Sequence, residues 1–255
     1  MKKLFFTFEG DSHKPVIVLG HPLGMNSRVW DGIVPELLKD FRIIRWDLPG
    51  HGLSAPLDSS ASPLTPNALI DPLIAKCDEL GIEKFHYVGT SIGGMIGQQL
   101  VTQHPERLLS ATLTNTGAKI GSQEAWLTRQ KDVMTLGLES MAPTLVLRWF
   151  SEDSVKTNPT LATYWQEQLA KVDDFSYGEL CAWLGNMDLN DSLKSSSLPI
   201  QLICGEKDVA TTPELMKTLA SSLQVNKLEI IEKIGHVPSV ESPDQLTSLI
   251  KGFIS

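Results

Sequence analysis

The stretch Phe85–Gln103 reads FHYVGTSIGGMIGQQLVTQ and carries the strongest indication of the fold. The short apolar run FHYV predicts a buried strand, the second half of the stretch predicts a helix, and the turn GTSIG (89–93) joins them. A turn this tight holds its serine in a strained conformation, so only tiny side chains fit at Gly89 and Gly93. It lifts the Ser91 hydroxyl above the sheet edge, where the helix N-terminus also directs backbone N–H groups.

Five more apolar runs predict strands of the same sheet. They are continuous rather than alternating, which is typical of parallel strands covered on both faces. The runs are PVIVL (15–19), FRIIRW (41–46), LSATL (109–113), IQLIC (200–204) and LEII (228–231). Two more helices are predicted, one at about 67–80 before Gly81 and one from Pro243 to the C-terminus with Ser242 as its N-cap. This alternation favours an open, mostly parallel α/β sheet.

The region from Gly121 to Ser195 interrupts the alternation, because it has no clear strand run. Apolar residues recur at helical spacing in two stretches of it, so we interpret it as a helical cap inserted into a core formed by residues 1–120 and 196–255. The segment KSSS (194–197) is the predicted linker back to the sheet. Four of the six tryptophans fall in the cap: Trp126, Trp149, Trp165 and Trp183. Most are expected in the core of this lobe, with one or two lining a pocket beneath it.

The composition is that of a globular protein of 255 residues. A hydrophobic content of 42% excludes intrinsic disorder, and no uncharged apolar run reaches the 18 residues of a membrane-spanning helix. The net charge of −8 argues against nucleic acid as the main partner. The N-terminal MKKLFF is interpreted as part of an ordinary first strand, because Thr7, Glu9 and Asp11 follow too soon for a signal peptide.

Three cysteines, Cys77, Cys181 and Cys204, are too few and too scattered for a disulfide framework or a zinc site. We expect them to be reduced and buried in a cytoplasmic protein. The sequence also lacks an H-x-x-x-H pair, a phosphate-binding loop and a dinucleotide fingerprint after a strand. Neither a metal nor another cofactor is therefore predicted.

A serine hydroxyl is a poor nucleophile without a base, and His236 is the best-placed base. It lies between the last predicted strand and the last predicted helix, in a loop that can lean over the sheet. A carboxylate should orient its imidazole and stabilise the cationic form. Asp208, just beyond the IQLIC strand, is the first choice, and Glu206 and Asp188 are alternatives.

The negative charge that develops on a carbonyl oxygen under attack needs two N–H donors. One should be the amide of Ile92, directly after Ser91. The other should come from the loop HPLG (21–24), which follows the PVIVL strand. Pro22 has no N–H, so Leu23 is the predicted second donor.

These motifs resemble those of the α/β-hydrolase superfamily over essentially the whole chain, including the order Ser91, Asp208, His236. The turn DLPGHGLS (47–54) is one that the superfamily places after its third or fourth strand, with His51 in a structural role. Within the superfamily the sequence is most similar to the 3-oxoadipate enol-lactonase group. The segments that carry this likeness are Leu23-Gly24 with Val29-Trp30-Asp31, Gly93–Gln98, Pro105–Arg107, Leu113–Thr116, Arg148–Phe150 and Met187–Leu189. The first loop departs from that group, since His21-Pro22 stands where those lactonases carry Asn-Ser.

The resemblance implies an α/β-hydrolase fold and a serine hydrolase that cleaves a small ester or lactone. A 3-oxoadipate enol-lactone carries a carboxylate, for which Arg129 and Arg148 of the cap are predicted partners, and Trp149 is predicted to line the pocket. The alternatives are a general carboxylesterase, a lactonase for another ring, and a hydrolase-fold ligand receptor with slow hydrolysis. Haloalkane dehalogenase chemistry is disfavoured, because its nucleophile is an aspartate and position 91 is serine.

Overall fold

One sheet runs through the computed structural model, which describes residues 3–60, 63–193, 197–225 and 227–254. Its strands are β1 Phe6–Glu9, β2 Val16–Gly20, β3 Arg42–Trp46, β4 Phe85–Thr90, β5 Leu108–Thr114, β6 Ile200–Gly205 and β7 Leu228–Ile231. They lie in the spatial order β1-β3-β2-β4-β5-β6-β7. All neighbours pair in parallel except β1, which is antiparallel to β3.

The six apolar runs that predicted strands all form strands, with ends shifted by two residues at most. Every residue of β2 is buried, as a continuous β-branched run in a covered parallel sheet requires. The largest shift is in β4, which continues through Gly89 and Thr90 because these residues pair with Leu113 and Thr114 of β5. The first strand, β1, begins at Phe6, so only the last residue of the predicted segment MKKLFF belongs to it, and residues 1–2 lie outside the described residues.

The carboxyl ends of the parallel strands meet at one edge of the sheet. Gly20 of β2 lies opposite Gly89 of β4, and Thr90 lies opposite Thr114 of β5. At the far side, Gly205 of β6 lies opposite Ile231 of β7. The loops that follow β2, β4, β5, β6 and β7 therefore converge at this edge, which is where ligands bind in open α/β sheets.

Helices cover both faces of the sheet and fill the long connection between β5 and β6. They are α1 Val34–Leu37, α2 Ile70–Glu79, α3 Ile92–Gln103, α4 Gln123–Leu136, α5 Leu138–Val146, α6 Glu152–Thr157, α7 Leu161–Leu169, α8 Asp174–Asn186, α9 Pro213–Leu223, α10 Pro238–Glu241 and α11 Pro243–Ile254. Short 3-10 turns lie at Ser27–Trp30 and Pro105–Arg107.

Outside the cap, the predicted helices are α2, α3 and α11, whereas α1, α9 and α10 are not among the predictions. Gly81 follows α2 with φ 66°, the left-handed conformation that ends a helix, as predicted. The carbonyl of Ser242 accepts the Leu246 N–H at 3.0 Å, so Ser242 does stand at the start of α11. The single-turn helix α10, which begins at Pro238, was not predicted, because four residues are too few to show a helical period.

The helices α4 to α8 all lie within the predicted cap, 121–195. Trp149, Trp165 and Trp183 are buried there, while Trp126 is half-buried. The predicted linker 194–197 falls mainly on residues 194–196, which lie outside the described residues.

The cysteines Cys77, Cys181 and Cys204 are buried and unpaired, as predicted. Burial raises the pKa of the Cys77 thiol to about 11 and that of each of the other two to about 12. Across the described residues, no helix is long and apolar enough to cross a bilayer. In the same part of the chain, no group of three His, Cys, Asp or Glu side chains is placed to hold a metal ion.

Candidate active site

Ser91 occupies the sharp turn between β4 and α3, with φ 59° and ψ −118°. A side chain at Gly89 would overlap the carbonyl of Gly93, and one at Gly93 would overlap the carbonyl of Gly20 on the neighbouring strand. The two glycines thus let β4, α3 and the end of β2 pack against one another. This steric requirement is the one that the sequence predicted for the turn.

The backbone of Ser91 is anchored to the end of β5. Its N–H lies 3.1 Å from the Thr114 carbonyl and 3.0 Å from the Asn115 carbonyl. Its carbonyl accepts hydrogen bonds from the Thr116 hydroxyl at 2.8 Å and from the Met95 N–H at 2.9 Å. These bonds support the strained conformation, so the side chain is held at a fixed point on the sheet edge.

His236 and Asp208 form a buried pair beside this turn. The Nδ1 atom of His236 lies 2.8 Å from Oδ2 of Asp208, and both side chains are almost fully buried. The same Oδ2 accepts hydrogen bonds from the Thr211 hydroxyl at 2.6 Å and from Nδ2 of Asn115 at 2.8 Å. Its partner oxygen Oδ1 accepts the N–H groups of Ala210 and Thr211 at 2.7 and 3.1 Å.

This environment keeps Asp208 ionised. Burial acts to raise its pKa, but the charge of His236 and the hydrogen bonds from His236, Thr211 and Asn115 act more strongly together and hold the pKa at about 2. An ionised carboxylate fixes the Nδ1–H tautomer of the imidazole, which leaves Nε2 free to accept a proton.

The two alternative carboxylates lie elsewhere. Glu206 accepts the Lys233 N–H at 3.0 Å and pairs with Lys207 at the surface. Asp188 pairs with Lys119 at 2.9 Å. Among these three acidic residues only Asp208 contacts His236, so the geometry favours Asp208 as the carboxylate that orients the imidazole.

Ser91 and His236 face a common cavity of about 160 Å³. Its walls are formed by Leu23, Ser91, Ile120, Gly121, Ala125, Trp126, Arg129, Leu145, Arg148, Trp149, Tyr177, Ala210, Thr211 and His236. No hydrogen bond joins the Ser91 hydroxyl to His236 within the described residues, although a direct bond was expected. Catalytic hydrogen bonds often tighten only when substrate binds, so the pairing of Ser91 with His236 stays a prediction.

The predicted oxyanion donors have free amides. In the described part of the chain, neither the Leu23 N–H nor the Ile92 N–H has a hydrogen-bond acceptor, and Leu23 lines the cavity. The next amide, that of Gly24, instead donates to Nε2 of His51 at 3.0 Å. Gly24 has φ 82°, which allows the loop to turn Leu23 toward Ser91.

Two buried histidines, His21 and His51, form hydrogen bonds that hold the loop 21–24 in place. Nε2 of His21 accepts the Leu48 N–H at 2.9 Å, while its Nδ1 faces the Pro22 carbonyl at 2.8 Å. His51 bonds Gly24 and the Pro49 carbonyl in the same manner. Burial lowers the pKa of both imidazoles, that of His51 to about 3, so both remain neutral and can accept these bonds.

The cavity wall opposite Ser91 comes from α4, α5 and the residues that follow α5. It includes all three predicted substrate-binding residues, Arg129, Arg148 and Trp149. The guanidinium carbon of Arg129 lies 5.5 Å from the ring of Trp126. Neither arginine forms an ion pair with any described residue, so the cavity has positive charge available for an anion. Burial keeps the pKa of Tyr177, another wall residue, well above its ordinary value despite the opposing charges of both arginines.

Sequence reasoning did not assign Asn115, Thr211, Trp126 or Tyr177 to the site. Thr211 follows Asp208 by three residues, a spacing at which a hydroxyl readily reaches a carboxylate, so a local signal existed. Asn115 directly follows β5 with φ 46°, and its contact with Asp208 joins residues far apart in the chain, which no local pattern records.

A family model described as the alpha/beta hydrolase fold matches residues 15–136. The whole chain also superimposes on the enol-lactonase from Burkholderia xenovorans LB400 with a TM-score of 0.91 and 29% identity, covering 98% of this chain and 96% of that one. The chain has the α/β-hydrolase fold and resembles members of that superfamily over almost its whole length. Both the fold and the resemblance predicted from the sequence are thereby confirmed.

Relatives of this protein include lactonases and esterases. The 3-oxoadipate enol-lactonase 1 of Acinetobacter baylyi is 29% identical over 253 residues, which cover 99% of this chain and 93% of the relative. The pimeloyl-(acyl-carrier protein) methyl ester esterase of Aeromonas hydrophila is 27% identical over 251 residues, which cover 94% of this chain and 95% of the relative. The hydrolase is thus similar to enzymes that open a lactone and to enzymes that cleave an ester.

Proposed function

We propose that this α/β-hydrolase cleaves a small lactone or ester by a serine mechanism, with an enol-lactone of the 3-oxoadipate type as the first substrate to test. The observation that carries the proposal is the buried His236–Asp208 pair, which faces Ser91 across one small cavity. Relatives named as enol-lactonases and as methyl ester esterases support the broader class, a hydrolase of ester or lactone bonds.

In the proposed mechanism, the Ser91 hydroxyl oxygen attacks the substrate carbonyl while His236 accepts the hydroxyl proton at Nε2. The Leu23 and Ile92 N–H groups stabilise the resulting oxyanion. His236 then donates its proton to the departing alkoxide oxygen as the carbon–oxygen bond breaks. For a lactone, this alkoxide stays attached to the acyl group.

The second half of the cycle releases the product. Water attacks the acyl-enzyme while His236 accepts one of its protons, and the proton then passes to the Ser91 oxygen as the acyl–serine bond breaks. One water is consumed and one carbon–oxygen bond is cleaved. Asp208 stays ionised throughout and stabilises the imidazolium.

The size and charge of the cavity support a small anionic substrate. Its volume of about 160 Å³ lies below the roughly 300–1,000 Å³ of sites for drug-sized ligands. Arg129 and Arg148 supply positive charge that no described carboxylate neutralises, and Trp149 supplies a rigid apolar wall. We therefore propose the segment 121–195 as a cap that selects the substrate and excludes bulk water.

A turnover screen tests the proposal. It compares an enol-lactone that carries a carboxylate, saturated lactones with and without a carboxylate, and short p-nitrophenyl esters. We expect rapid multiple turnover, with the highest kcat/KM on a carboxylate-bearing lactone. A generic carboxylesterase would prefer the neutral esters, and a ligand receptor would show a single slow turnover.

A further inference from the structure

We propose that Glu241 is a positioning residue for His236. Its carboxylate ties the histidine loop, defined as residues 233–237, to the segment 149–154, which follows α5 and whose first residue, Trp149, lines the cavity. This inference rests on the proposed function, because it assigns His236 the role of base. Glu241 does not line the cavity, so its effect on substrate has to pass through the histidine loop.

The carboxylate of Glu241 accepts four hydrogen bonds. Two come from the backbone on either side of His236: the Gly235 N–H donates to Oε2 at 2.8 Å, and the Val237 N–H donates to Oε1 at 3.1 Å. The other two come from the far segment, where the Ser151 N–H and the Ser154 hydroxyl donate to Oε2 at 2.9 and 2.7 Å. One side chain therefore bonds both neighbours of the proposed base.

Further contacts join the same two segments. The His236 N–H donates to the Trp149 carbonyl at 2.8 Å, and the Ser151 hydroxyl donates to the Lys233 carbonyl at 2.6 Å. Gly235 packs so closely that a Cβ there would lie 2.8 Å from the Ser151 nitrogen. The backbone around His236 thus packs against Trp149, which lines the cavity, and against the residues beside it.

Two carboxylates orient the proposed base, each at a different part of the residue. Asp208 fixes the imidazole ring through Nδ1, while Glu241 fixes the backbone from which the ring extends. Because no bond joins His236 to Ser91 in the described residues, the separation of the two depends on where the loop lies. A shift of about 1 Å in such a group is enough to slow the chemical step about 100-fold.

The test is Glu241→Gln, compared with Ser154→Ala and Glu152→Gln. Glutamine keeps one acceptor oxygen but turns the other into an N–H₂ group, which cannot accept. Ser154→Ala removes only a donor on the far segment, and Glu152→Gln removes the same charge from an exposed side chain nearby. The substrate is a short p-nitrophenyl ester, and kcat is expressed per active site titrated with a fluorophosphonate. Under these conditions we expect Glu241→Gln to lower kcat by about 10- to 100-fold and to change KM by no more than about twofold. Both controls should stay within about twofold of wild type.

A proton NMR measurement gives a readout that needs no turnover. The Nδ1–H proton of His236, bonded to Asp208, should give a sharp downfield resonance in wild type and in Ser154→Ala, and a shifted or broadened one in Glu241→Gln. If wild type hydrolyses no ester or lactone, the proposed function is wrong, yet these spectra still decide the role of Glu241. Should Glu241→Gln not fold, Glu241→Asp gives the same comparison with a smaller expected effect.

Three results would overturn the proposal. The first is a kcat per titrated site in Glu241→Gln within twofold of wild type with only a lower Tm, which would show a purely structural role. The second is an equal loss of kcat in Ser154→Ala, which would place the effect in the far segment. The third is an unchanged His236 resonance in Glu241→Gln.

Discussion

At the scale of single residues, Ser91 combines a reactive side chain with a backbone conformation, φ 59°, that glycine adopts at a lower cost. We expect Ser91→Ala and Ser91→Gly both to lose at least about 1,000-fold in kcat, because each lacks the nucleophile. Glycine relieves the strain, so Ser91→Gly should be more stable than Ser91→Ala by about 1 kcal/mol, or about 2–4 °C in Tm. Ester turnover and calorimetry measure the two effects. Turnover within about tenfold of wild type in either variant would rule out the serine mechanism.

Asp208 offers a second test at this scale. Replacing it with asparagine removes the negative charge that stabilises the imidazolium and allows the wrong His236 tautomer, so kcat should fall by about 10⁴-fold. Glu206→Gln and Asp188→Asn are the matched controls, since both remove a carboxylate that does not contact His236. Each control should retain kcat within about twofold. A larger loss in either control than in Asp208→Asn would transfer the role of the acid to that residue.

At the scale of elements, the helices α4 to α8 bring Trp149 against the loop of Leu23. The six-membered ring of Trp149 lies so near Gly24 that a Cβ on the glycine would be 3.0 Å from it, and its own backbone carbonyl holds His236. We expect Trp149→Ala to lower kcat/KM on the preferred lactone at least about fivefold more than on p-nitrophenyl acetate, because the acyl part of the lactone is larger than an acetyl group and depends on this wall. Steady-state kinetics on both substrates measure the ratio.

Trp165→Phe is a control for that experiment. Trp165 is buried within α7 and does not line the cavity, so its replacement should change stability while leaving the ratio of the two kcat/KM values unaltered. If Trp149→Ala lowers both kcat/KM values equally and also lowers Tm, Trp149 acts as core, and its assignment to the substrate pocket is wrong.

At the scale of the whole molecule, stability should fall in acid because buried groups bind fewer protons in the fold than in the unfolded chain. Burial lowers the pKa of His51 from 6.5 to about 3, so between these values the unfolded chain holds the extra proton and folding becomes less favourable as pH decreases. From pH 7 to pH 5, His51 alone should lower the free energy of unfolding by about 2 kcal/mol. His21 acts in the same direction. Protonation of Asp208 lowers the free energy of unfolding further as the pH falls from 3.8 through about 2.

Urea denaturation of wild type and His51→Gln at pH 7 and pH 5 measures this dependence. Glutamine keeps an acceptor for the Gly24 N–H but does not titrate, so its free energy of unfolding should change about 2 kcal/mol less between the two pH values than that of wild type. His13→Gln, a change at an exposed histidine, should follow the wild-type dependence. Equal pH dependence in wild type and His51→Gln would show that His51 does not carry the effect.

Features that depend on neighbours along the chain could be predicted from the amino-acid sequence. A continuous β-branched run such as PVIVL favours a covered parallel strand, and Gly89 is required by a close contact with Gly93 within a single turn. The parallel topology then sends the ends of β4, β6 and β7 to one edge, so Ser91, Asp208 and His236 could be grouped from their order alone. Local propensity and chain order suffice for this level of detail.

Contacts between side chains from distant parts of the chain became evident from the folded structure alone. Asn115 bonds Asp208 across 93 positions and the Gly235 carbonyl across 120, and Glu241 reaches Ser151 across 90. Such contacts depend on the packing of one element against another and on the rotamers that this packing permits, and neither leaves a periodic mark in the sequence. The same holds for Arg129 and Arg148. Arg129 lies in α4 and Arg148 follows α5, and packing of these elements places both side chains in the wall of one cavity.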